Sequence, residues 1–134
     1  MTSCGLVLSR RRLLAVAVDD NGRAAPALAA DLDDDGRWGL LARIDTLHGL
    51  DCELVIPEDV LRADRIGQLA IEQEMNVWVA PVRLVEAIRD AAGFATGPPA
   101  RLAATIARLV LVPGFRGHLR RLHHLQDCRQ LPLL

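Results

Sequence analysis

The sequence predicts an α/β protein: a mixed five-stranded sheet, a three-strand antiparallel meander followed by β-α-β-α units, with helices on both faces and a C-terminal helical extension. Three observations lead there. Two short apolar runs at 4–9 and 13–18 are followed by the turn residues Asp20-Asn21-Gly22 and a third run near 25–32. Two further apolar strands then alternate with segments of helical spacing. The 134 residues are 51% hydrophobic and 25% charged, which suits one globular core and neither a disordered chain nor two domains.

Each element has its own signal. Pro26 falls at the start of the third strand, where a missing N–H does least harm. The acids Asp33, Asp34 and Asp35 precede Leu40, Leu41, Ile44 and Leu47, a helical spacing entered through a negatively charged first turn, and Gly49 ends it. Residues 52–56 are apolar except Glu53, as in a strand buried on both faces of a parallel sheet. Ile66, Leu69, Ala70 and Gln73 mark a helix beginning near Asp64, and Val77-Trp78-Val79 marks the fifth strand. Leu84, Val85, Ile88 and Ala92 mark the next helix. Pro57 and Pro81 close the two strands that precede helices. Pro99 opens a helix with Leu102, Ile106, Leu109 and Val110 on its apolar face.

All 16 basic residues are arginine, and without lysine neither a P-loop nor a Schiff-base mechanism is available. A formal charge of −1 excludes a histone-like coating of nucleic acid. The charge is unevenly spread, however. Residues 101–134 carry six arginines against the single acid Asp127, whereas residues 1–100 carry ten against sixteen acids. A basic element on an acidic body suggests an anionic partner or an acidic face of a second copy. Three widely spaced cysteines, Cys4, Cys52 and Cys128, suit reduced thiols, and no apolar run approaches the roughly 20 residues of a membrane span. The triplet Arg10-Arg11-Arg12 follows the first apolar run instead of preceding it, which is not signal-peptide order. A cytoplasmic location is the expectation.

Four stretches carry a family resemblance. They are Gly5-Leu6-Val7-Leu8-Ser9 with Leu13-Leu14-Ala15-Val16-Ala17-Val18; Leu54-Val55-Ile56; Val77-Trp78-Val79-Ala80-Pro81 with the helix after it; and Ala100-Arg101-Leu102-Ala103-Ala104. Over residues 4–110 the chain resembles the ribonuclease H-like fold. Within that fold it is similar to the amino-terminal domain of the DEDD transposases, relatives of RuvC-type Holliday-junction resolvases. The resemblance implies a carboxylate on the first strand, one at the end of the fourth and a pair on the late helix, holding two divalent metals for phosphodiester cleavage. Those places here hold Val7, Ile56, Ala100 and Ala103. Aliphatic side chains cannot ligate the hard cation Mg²⁺. The expectation is therefore a catalytically degenerate domain, a decayed or domesticated mobile-element relative, with no catalytic residues, metal or cofactor. Asp19, at the end of the second strand, and Glu58, two residues past Ile56, are the candidates for a rearranged acidic site. That alternative is an active nuclease or recombinase domain using Mg²⁺.

Other constellations are weaker. His48 with Cys52 and His124 with Cys128 are two His-x₃-Cys pairs, without the tight spacing of zinc modules. Ser9, His118 and an aspartate form a nominal triad without a nucleophile elbow. Trp38, Trp78, Phe94 and Phe115 are too scattered for a base-stacking platform and read as core. The acidic run Asp33–Asp35 lacks calcium-loop spacing.

The last segment, 115–128, reads as a basic amphipathic helix. Phe115, Leu119, Leu122 and Leu125 share one side, leaving Arg116, His118, Arg120, Arg121 and His124 as candidate binding residues. The chain accordingly divides into a body, 1–112, and this element, 113–134, packed on it or extending from it. The expected partner is a protein or a second copy, with nucleic acid a further option through the arginines. No membrane role is expected.

Overall fold

The computed structural model describes residues 2–49, 51–91 and 98–122. The first two strands, β1 (Ser3–Ser9) and β2 (Arg12–Val18), form a hairpin whose two-residue loop is Arg10-Arg11. A short β3 (Leu28–Asp31) pairs antiparallel with β2. Helix α1 (Asp34–His48) follows where the acidic run placed a helix start, and the Asp33 carboxylate caps it by accepting from the Gly36 N–H. Next come β4 (Glu53–Pro57), α2 (Glu58–Ala63), α3 (Ile66–Glu72), β5 (Asn76–Ala80), α4 (Val82–Ala91) and α5 (Pro99–Leu109). A one-turn α6 (Pro113–Arg116) leads to β6 (Arg120–Leu122).

The sheet is open, mixed and six-stranded, in the order β3-β2-β1-β4-β5-β6. Strands β1, β4 and β5 are mutually parallel, while β2 and β6 run against their neighbours. Strand alternation sends side chains to two cores. Leu6, Leu13, Leu54, Ile56 and Val77 pack with α1, α2 and α3 on one face. Val7, Val16, Val55 and Ala80 pack with Val85 of α4 and the apolar stripe of α5 on the other. Helix α5 lies so close to β1 that a Cβ on Gly5 would strike the backbone of Ala103 and Ala107. Ser3 Oγ, wholly buried, donates to the Ala107 carbonyl at the same contact.

Two departures from the sequence reading have physical causes. The six-residue α2 is too short to show a helical period. The segment expected to be a basic helix from Phe115 instead makes one helical turn and then the sixth strand, antiparallel to β5. Leu119 and Leu122, three residues apart, would share a helix face. Instead Leu119 is buried with α5 and Leu122 in the core on the other side of the sheet. Residues 113–122 therefore do not form the helical extension expected for the second unit: their strand closes the sheet. The remainder of the expected helix, including Leu125 and Cys128, lies outside the described residues.

Candidate functional site

The places where the resemblance puts metal-binding carboxylates are apolar and packed. Val7 and Ala103 are buried in the core beneath α5, with Ala100 against it. Ile56 faces the opposite core, so the residue of β4 that shares the face of Val7 is Val55. Both are aliphatic. Helix α5 is seated directly on Gly5, and Val7, Val55 and Ala103 belong to the same buried apolar cluster.

Asp19 and Glu58 are not brought together. Val18 pairs with Ser3 beside Glu53, the first residue of β4, whereas Glu58 follows its last. A five-residue strand, about 16 Å, separates their two ends of the sheet. Asp19 is engaged in a turn: its Oδ1 accepts from the N–H groups of Asn21 and Arg23, the local bonding that Asp offers a tight loop. Glu58 lies 3.6 Å from Arg62 Nη2, one turn along α2. Arg62 Nε and Nη2 are buried and have no hydrogen-bond partner, so Glu58 faces a cation. Among the described residues, no three His, Cys, Asp or Glu side chains stand close enough to hold a metal ion.

The basic residues do form a site, built on β5 and β6. Trp78 lies opposite Arg121 across the two strands. The Arg116 and Arg121 guanidinium carbons stand 5.0 and 5.8 Å from the centre of its ring, within cation–π range. Arg121 Nη2 also donates to Asn76 Oδ1 at 2.8 Å. The Trp78 indole N–H donates to Glu53 Oε2 at 2.8 Å, which fixes the ring from the neighbouring strand. Glu53, only 9% exposed, thus anchors a tryptophan that positions two arginines. Arg120 alternates to the other face of β6 beside Leu122. His118 is exposed in the turn before β6, and His124 lies outside the described residues. Among the described residues no carboxylate comes within ion-pair distance of Arg116, Arg120 or Arg121.

Sequence reasoning assigned Trp78 to the core, against which its ring does pack, but gave Glu53 and Asn76 no role. Their one signal was Glu53 itself, a lone charge in an apolar strand, which when buried needs a partner. It also missed the buried ion pair in which Arg37 grips Asp64 through Nε and Nη2, at 3.0 and 2.7 Å. Asp34 bridges Arg37 and Arg65, tying the start of α1 to the link between α2 and α3. Hydrogen bonding to Asp64 holds the Arg37 pKa above its ordinary value.

Among the described residues the cysteines belong to no group of three possible metal ligands. Cys4 and Cys52 are buried free thiols in the core of α1 to α3. Burial pushes both pKa values up, with Cys52 at about 12. Cys128 and the second His-x₃-Cys pair lie outside the described residues. No described helix is long and apolar enough to cross a membrane. The sequence matches no protein-family model and is similar to no curated protein.

Proposed function

We propose that this chain is a catalytically degenerate ribonuclease H-like domain that acts by binding, with the arginines around Trp78 as its contact surface. Support for the fold half comes from the antiparallel meander placed beside parallel β4 and β5, in the order β3-β2-β1-β4-β5. That succession of elements is the one that carries the resemblance. The observation on which the functional half rests is the apolar packing of Val7, Val55 and Ala103 under α5. Cleavage by two metals needs oxygen ligands converging there, and the side chains that converge are hydrocarbon.

The binding half rests on Arg116, Arg120 and Arg121, cations without carboxylate partners among the described residues, two of them ordered on an aromatic ring. Fixing a guanidinium in advance lowers the ordering cost of binding. The test is incubation of the purified chain with branched and duplex DNA in Mg²⁺ or Mn²⁺. No cleavage above buffer is expected. Turnover that Glu58→Gln abolishes overturns the reading, because it would make Glu58 a ligand or base despite its Arg62 neighbour.

A further inference from the structure

We infer that this chain associates head to tail with a second copy of itself, the exposed basic tip before β6 of one copy entering an acidic groove beside α1 of the next. The inference rests on the binding reading above and names its partner. The tip is the turn around α6. Val112 and Phe115 are its exposed apolar side chains, and Arg116 follows them, held over Trp78. Residues 98–122 contain five arginines and no acid. A guanidinium lying on a ring keeps its N–H edge for a carboxylate.

The groove has the opposite character. It lies between α1 and the turn from α3 to β5, holds about 140 Å³ and is lined by Trp38, Leu41, Ala42, Asp45, Gln73 and Met75. Leu41 and Met75 belong to the core beneath it, and Trp38 is exposed at its side. Asp45 stands in its wall, and Asp35 is exposed one turn before Trp38 on the same stripe of α1. Glu72 and Glu74, both exposed, flank Gln73 in sequence. Among the described residues none of these four carboxylates comes within ion-pair distance of a cation. A phenyl ring set against Trp38 and Met75 gains aromatic and sulfur contacts. It also brings Arg116, the next residue, to the acidic rim, where a guanidinium–carboxylate bond is charge-assisted.

Charge and placement together make the occupant a second copy. The two surfaces lie on opposite faces of the sheet: Leu40, Leu41 and Ile44 of α1 pack in the core on one side, whereas Trp78 under Arg116 and Leu119 after α6 pack on the other. A chain therefore cannot fill its own groove, but it can fill that of another copy. The tip joins apolar to positive, the groove joins apolar to negative, and every chain carries one of each. A nucleic acid or an unrelated acidic protein would satisfy the arginines and leave Trp38 exposed. Pairing of unlike surfaces is heterologous, so each added copy presents a fresh tip or groove until a ring closes.

The experiment is sedimentation velocity of the full chain at rising concentration. The weight-average mass is expected to climb past that of a single chain, and to fall back when salt screens the ion pairs. Two kinds of variant disable one half each. Phe115→Ala with Arg116→Ala removes the tip, and either Ala42→Arg or Asp45→Arg, both at exposed positions of α1, fills the groove or repels Arg116. Each variant alone should lose association. A tip variant mixed in equal amount with a groove variant should form a dimer that grows no further, because one native tip and one native groove remain between them. Recovery on mixing also shows that both partners are folded, and circular dichroism checks each variant alone. A wild-type chain that stays single, assembly indifferent to the variants, or folded variants that stay single when mixed overturns the proposal. The readout is mass and not DNA cleavage, so failure here and failure of the degenerate-domain reading are separately visible.

Discussion

Trp78 donates its indole N–H to a carboxylate oxygen of Glu53, its near neighbour on the adjacent parallel strand, at 2.8 Å. A side chain on the edge half of the sheet is thereby tied to a charge almost wholly withdrawn from solvent. Removing the donor while keeping an aromatic ring leaves that charge without its partner. Trp78→Phe is expected to lower stability by about 1–3 kcal/mol, read as the shift of a urea unfolding midpoint. Adding Glu53→Gln to the Phe variant should recover part of the loss, since an amide is less costly to leave buried than a carboxylate. If the double variant is no more stable than Trp78→Phe alone, packing and not the hydrogen bond explains the first loss.

Two arginine–aspartate pairs should differ in worth because both their geometry, bidentate for Arg37 with Asp64 and a single contact for Arg12 with Asp31, and their surroundings differ. The Arg37 and Asp64 side chains are 12% and 4% exposed, and those of Arg12 and Asp31 are 55% and 73%. Breaking a buried pair strands a charge and costs about 3–5 kcal/mol, whereas exposed pairs contribute about 0–1 kcal/mol. Arg37→Ala is therefore expected to shift the unfolding midpoint several times further than Arg12→Ala. Equal shifts would mean that the Arg37 pair is effectively solvated.

Much of this architecture could be read before the structure. The meander, α1 with its acidic start, β4, β5 and α5 each carry a local pattern strong enough to survive tertiary packing. What escaped was short or set by distant partners. Arg120-Arg121-Leu122 has no strand signature of its own, and with Leu119 it imitates a helix. Only pairing with β5 makes it a strand. The candidate surface suffered likewise: its arginines were evident, but their assembly on Trp78 depends on a strand register that composition does not encode.

The buried thiols predict a pH response. Burial, reinforced by the neighbouring Glu53 charge, raises Cys52 from the ordinary 9.0 to about 12. Below pH 9 the thiol is neutral whether the chain is folded or not, and its contribution is fully present. Between about pH 9 and 12 the unfolded chain releases a proton that the folded chain holds, so stability falls as pH rises. Cys4, raised by burial and by its proximity to Cys52, acts in the same direction. A Cys4→Ala, Cys52→Ala double variant should lose stability less steeply over this window. At pH 8, in a Cys128→Ser background, neither buried thiol should react with a thiol reagent until the chain is unfolded. Prompt reaction of the native protein would show that these side chains are accessible.

The hairpin between β1 and β2 is strained by its own residues. Ser9 pairs with Arg12, leaving Arg10 and Arg11 as a two-residue loop with φ of 49° and 63°. Positive φ at both positions is the requirement of a type I′ turn, whose preferred sequence is Asn-Gly. An L-residue with a full side chain is about 1–2 kcal/mol less stable in this conformation. Glycine removes that strain but brings roughly 0.5–1 kcal/mol of extra backbone entropy to the unfolded chain. Arg10→Asn with Arg11→Gly is therefore expected to stabilise the fold by about 1 kcal/mol, visible as a higher urea midpoint with an unchanged slope. Arg11→Val should do the opposite, since a β-branched side chain tolerates positive φ poorly. An Asn-Gly variant no more stable than the original would mean that Arg10 and Arg11 make compensating contacts that the turn geometry does not reveal.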